Sequence, residues 1–154
     1  LQRHSLLAAE AFHARALRFA ADVADVAHAC VPFAPDTNLV CLAVNPRGNR
    51  TLAEASAFVR KLHDGLRCNP RQPLQVREFF GSVTSLHVDA LAARDAGRVL
   101  HALALDAPGA DDDGSLVILR HTLMNPYLLD RENGISYIDG YFDYLEGRVR
   151  ALAG

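Results

Sequence analysis

The run Ser115–Met124 (SLVILRHTLM) restricts the fold more than any other stretch of the chain. Four successive apolar residues, Leu116 to Leu119, are bounded by a Gly-containing acidic turn before and Asn125-Pro126 after. A short apolar run between turn signals reads as an interior strand. Asn38–Val44 (NLVCLAV) has the same character and enters a turn at Asn45-Pro-Arg-Gly-Asn49. Leu74–Leu86 (LQVREFFGSVTSL) reads as extended, with a bulge or bend at Gly81.

Between these runs the apolar period becomes helical. Residues 5–31 read as one long helix, with Phe12, Ala16, Phe19, Val23, Val26 and Cys30 in a narrow stripe and Pro32 and Pro35 as its stop. About 25 residues at ~1.5 Å each span nearly 40 Å, more than a compact domain of this size needs. The helix is therefore expected to pack in part against something outside this chain. Thr51-Leu-Ala-Glu54 is a capping box opening a helix with Leu52, Ala55, Val59, Leu62 and Leu66 on one face. Ala90–Leu105 reads as helical and Asp106–Gly114 as an acidic turn. Ser136 caps a last helix striped by Ile138, Phe142, Leu145, Val149 and Leu152. Helices and strands alternate without an internal repeat. This order implies an α+β fold: a small, mainly antiparallel sheet covered by helices in two layers.

A length of 154 residues suits one domain. The net charge of −2 and pI near 6.4 argue against nucleic acid or an anionic membrane as partner. No apolar run approaches the ~20 residues of a membrane-spanning helix. The chain begins at Leu1, its one methionine is Met124, and its N-terminus has no secretory pattern. It is therefore expected to be a processed product, an expressed segment or a fragment rather than a native translation product, and a cytoplasmic location is expected from the reduced thiols that its cysteines suit. Three cysteines, Cys30, Cys41 and Cys68, form neither a disulfide framework nor a CxxC pair, and suit reduced thiols packed as small hydrophobes.

Most candidate chemistry in the chain has a plain structural explanation. His28 and Cys30 are the nearest approach to a metal-ligand pair and lack a third partner in sequence. Asp111-Asp112-Asp113 lacks the spacing and the terminal glutamate of a calcium loop. Arg47-Gly48-Asn49-Arg50 reads as a solvated basic turn, and neither GxSxG nor a phosphate-binding glycine motif occurs. Arg120 is different, because it interrupts an interior strand. Alternation puts it on the face of Ile118 and Thr122, with His121 on the other. A guanidinium there serves either an internal ion pair or the carboxylate of a ligand.

Pro35–Cys41 (PDTNLVC), Leu119–Pro126 (LRHTLMNP) and the amphipathic helix that follows resemble the C-terminal domain of pyridoxal-phosphate-dependent amino-acid decarboxylases. This is the group II, fold type I family of glutamate, tyrosine and aromatic-amino-acid decarboxylases. The resemblance spans most of the chain, apart from Leu74–Ala110. It implies that residues 1–31 are a helix connecting to a large domain and that residues 32–154 form the small domain. It also implies that Arg120 corresponds to the arginine that grips the substrate α-carboxylate. The Schiff-base lysine, the partner of the cofactor ring nitrogen and the phosphate pocket all belong to the large domain. Lys61, the one lysine here, follows Arg60 inside a helix and does not match that lysine. The resemblance thus places pyridoxal phosphate in a parent enzyme and none on this chain. The implied partners are the large domain of the same polypeptide and a second copy in a homodimer, with no nucleic acid and no membrane. The competing readings are a stand-alone ligand-binding or regulatory α+β module and a purely structural domain.

Overall fold

The computed structural model describes residues 2–67, 70–73, 79, 81–125, 128–130 and 133–154. Cys68, residues 74–78 and 80 of the extended run, and Pro126-Tyr127 lie outside that set. The elements are α1 (Gln2–Asp22), β1 (Ala27–Cys30), β2 (Leu39–Pro46), α2 (Leu52–Asp64), β3 (Ser82–His87), α3 (Ala93–Ala102), β4 (Ser115–Thr122), β5 (Leu129–Asp130), β6 (Ile135–Ser136) and α4 (Tyr137–Ala153). The fold is α+β, as expected. The main sheet has the order β1-β2-β4-β3 with every neighbour antiparallel, and β5 and β6 form a small ladder of their own.

Continuous apolar runs in β2 and β4 mean that neither face of the sheet tolerates water. Val40, Leu42, Val44, Val117 and Leu119 point to one face, where Phe12, Phe19 and Val23 of the α1 segment and Phe142, Leu145 and Val149 of α4 cover them. Cys41, Ala43, Leu116 and Ile118 point to the other, under Val99 of α3 with Leu103 and Leu105 beyond it. Helices therefore lie on both faces, where a two-layer sandwich was expected. The helix α2 serves both clusters: Leu52 and Ala55 join the second, Val59 and Leu62 the first. Its Ser56 hydroxyl accepts the buried Val117 amide at 3.0 Å.

The single helix expected over residues 5–31 is two elements. Helix α1 ends at Asp22, and a turn closes through Val26 N–H and Ala27 N–H to the Val23 carbonyl. Ala27–Cys30 then pairs with Pro46–Ala43 as an edge strand. The stripe is also turned inward: Phe12, Phe19 and Val23 are at most 4% exposed, and Val26 is half-buried. The sheet face, rather than something outside the chain, takes these side chains. Leu6, Leu7 and Leu17 are the large apolar residues that α1 exposes. Arg15, 8% exposed, ties α1 to α4 by reaching Asp22, Asp139 and Asp143 while lying 5.2 Å from the centroid of the Phe142 ring.

The caps follow the sequence reading with one change. Thr51 Oγ1 accepts the Glu54 amide at 3.3 Å, while the Thr51 amide donates to Asn49 Oδ1 at 3.0 Å, in place of the reciprocal glutamate bond of a full capping box. Ser136 Oγ accepts the Asp139 amide at 3.2 Å. Among the described residues no helix is long and apolar enough to cross a membrane.

Candidate active-site cleft

The end of β4 opens into a cleft of about 370 Å³. Arg120 and Ser82 border it, and Phe12, Phe79, His121 and Tyr141 supply an aromatic wall. The wall is interlocked: the Phe12 ring centroid lies 4.7 Å from that of His121 and 5.8 Å from that of Tyr141, and Phe79 meets Tyr141 edge-on at 5.5 Å. These side chains come from α1, from the segment before β3, from β4 and from α4, so the cleft exists only when the helices are docked on the sheet.

His121 is 7% exposed and fully bonded. Its Nδ1 lies 3.1 Å from the Val40 carbonyl oxygen and its Nε2 lies 2.6 Å from the Tyr141 hydroxyl. A carbonyl can only accept, so Nδ1 carries the proton and Nε2 receives the tyrosine's. The pair is neutral. Burial pushes His121 down to about 4 and holds the Tyr141 hydroxyl well above the ordinary tyrosine value.

Arg120 stands on the opposite face of β4 from His121, as alternation requires. It is exposed at the cleft edge, and among the described residues no carboxylate lies within ion-pair distance of it. Its Nε donates to Ser82 Oγ at 3.3 Å. Of the two readings open for this arginine, the internal ion pair has no acidic partner in the described structure. An exposed guanidinium beside an aromatic cleft can bind an anion whose organic body packs on the wall.

The other sequence candidates fall into structural roles. His28 and Cys30 sit half-buried on β1, where desolvation pushes the Cys30 thiol up to about 11. Among the described residues no group of three or more histidines, cysteines or acids is arranged to hold a metal. Asp112 and Asp113 accept the Gly114 and Ser115 amides, both at 2.9 Å, and so fasten the start of β4. Arg47 donates to the Ala24 carbonyl, and Arg50 pairs with Asp106. Lys61 is exposed on α2.

Sequence reasoning missed Ser82, Phe79 and Tyr141 as members of the cleft. For Tyr141 a signal existed: it adjoins Phe142 on the inward side of α4, three residues after Ile138, and carries a polar tip that needs a partner. Ser82 had none, since its place beside Arg120 depends on the β3–β4 register.

A search of curated proteins finds no match to this chain. The sequence model of the family described as "Tyrosine decarboxylase, C-terminal" matches residues 9–148. That span takes in most of α1, the whole sheet, the cleft residues and most of α4. The chain belongs to the family of tyrosine decarboxylase C-terminal domains.

Proposed function

We propose that this chain is the small domain of a cytoplasmic, pyridoxal-phosphate-dependent lyase that releases CO2 from an α-amino acid. In this reading the domain closes over the active site and presents Arg120 to the substrate carboxylate. The observation that carries it is the exposed guanidinium of Arg120, without an ion-pair partner among the described residues, at the edge of an aromatic cleft inside a chain of the decarboxylase C-terminal family.

The residues of this chain do not fit pyridoxal phosphate themselves. Lys61 is exposed on the outer side of a helix and lies outside the cleft that holds Arg120. The cofactor and its lysine belong to the large domain of the same polypeptide, which together with a second copy of the parent is the expected partner. What this domain contributes is orientation. The guanidinium offers a planar fork that matches both oxygens of a carboxylate, and that contact strengthens as the closing domain expels water. The neutral wall of Phe12, Phe79, His121 and Tyr141 excludes water without adding a competing charge.

Replacing Arg120 by alanine in the complete enzyme should lower kcat/KM roughly a hundredfold, the typical worth of a desolvated charged contact. The same change in the domain alone should leave its melting temperature within about a degree or two, because an exposed arginine with no ion pair among the described residues contributes little to folding. A large drop in melting temperature with unchanged kinetics would overturn the proposal.

A further inference from the structure

The register that brings Arg120 to the cleft also fixes what stands beside it. Cys41 on β2 and Ser82 on β3 are both direct cross-strand partners of Arg120. Directly opposed residues share a face, so the three side chains form a row. The two neighbours differ in chemistry. Cys41 is 1% exposed and burial pushes its thiol up, so it stays protonated and leaves the arginine's charge uncancelled. Ser82 is half-buried at the cleft. Its Oγ donates to the Arg120 carbonyl at 3.0 Å and accepts from Arg120 Nε at 3.3 Å. One hydroxyl thus holds both the backbone and the side chain of the arginine, using its single proton and a lone pair.

This contact decides which part of the guanidinium remains for a ligand. Arginine can meet a carboxylate side-on, through Nε and one Nη, or end-on through Nη1 and Nη2. With the Nε proton committed to Ser82, the end-on pair is left. We infer that Ser82 is a positioning residue that holds Arg120 so its Nη1/Nη2 fork faces the ligand carboxylate. The inference rests on the reading of Arg120 as the carboxylate clamp. Without the hydroxyl, a long exposed side chain regains rotamers that it must lose again on binding, and affinity falls.

The test is steady-state kinetics of the complete decarboxylase carrying Ser82→Ala, Ser82→Thr, Arg120→Ala and the Ser82→Ala/Arg120→Ala pair, with a thermal melt of each. Ser82→Ala should raise KM roughly five- to tenfold, the worth of one ordinary hydrogen bond, with kcat within about twofold. Threonine keeps the hydroxyl and should return KM to near the wild-type value. In the Arg120→Ala background, Ser82→Ala should add nothing, because there is no guanidinium left to position. If Arg120→Ala leaves KM and kcat/KM unchanged, the clamp reading fails and Ser82 fails with it. If Arg120→Ala is damaging but Ser82→Ala is silent, or its defect persists without Arg120, the positioning role alone is overturned. It is equally overturned if Ser82→Ala lowers the melting temperature and threonine does not restore KM.

Discussion

Lowering the pH from 7 to 5 should cost the domain about 2 kcal/mol through His121 alone. The ring is held at about 4 when folded, because burial disfavours its cation. In the unfolded chain it titrates near the ordinary ~6.5. The unfolded state therefore binds the proton first, and stability that is complete above about pH 6.5 is lost as the pH falls toward 4. At about 1.4 kcal/mol per pH unit over about 2.5 units the full loss is roughly 3–4 kcal/mol, somewhat more than half of it before pH 5. The physical cause is specific. A protonated ring would carry a hydrogen on Nε2, where the Tyr141 hydroxyl already points its own at 2.6 Å, beneath the Phe12 ring. Urea unfolding of the wild-type domain and of His121→Phe at pH 7 and pH 5 isolates the effect. His28 is shifted in the same direction, but it is present in both proteins and cancels in the comparison. The wild type should lose about 2 kcal/mol more than the variant over that interval. Equal losses, or an NMR titration of the His121 ring centred near 6.5, would refute the argument.

Other outcomes follow from the packing. Phe142→Ala removes a fully buried ring that meets Phe12 at 4.8 Å, Tyr141 at 5.3 Å and Phe19 at 5.5 Å. It should cost about 3–5 kcal/mol in chemical denaturation, and a loss under about 1.5 would show that the α1–α4 layer can collapse around the hole. Gly114→Ala should destabilise by more than about 1 kcal/mol. Its φ of +68° disfavours a side chain, and a Cβ there would lie 2.9 Å from Asp89 Oδ1. A neutral result by thermal melt would mean that the turn into β4 relaxes freely.

Much of the local structure was legible from residue order. Apolar runs bounded by proline and asparagine marked β2 and β4, and side-chain alternation separated Arg120 from His121 before any contact was known. Thr51 and Ser136 announced helix starts because a hydroxyl ahead of an apolar stripe has an orphan amide to accept. Family membership was legible as well, in the motifs around Arg120 and in the helix that follows them. Local order could not mark β1. Ala27–Cys30 (AHAC) continues a helical stripe without strong strand formers, and it becomes a strand only because the exposed edge of β2 offers it hydrogen-bond partners. The fate of the Phe12–Val23 stripe was equally hidden. Periodicity shows that a face is apolar and says nothing about which surface covers it. The sheet face beneath α1 decided that. The same limit applies to the cleft. A sequence names an arginine in a strand and a histidine after it. Whether the arginine meets an acid or a serine depends on which strand lies alongside and in what register. Whether the histidine is charged depends on how completely α1 and α4 exclude water. Both are properties of elements far apart in the chain, and they exist only once the helices have closed on the sheet.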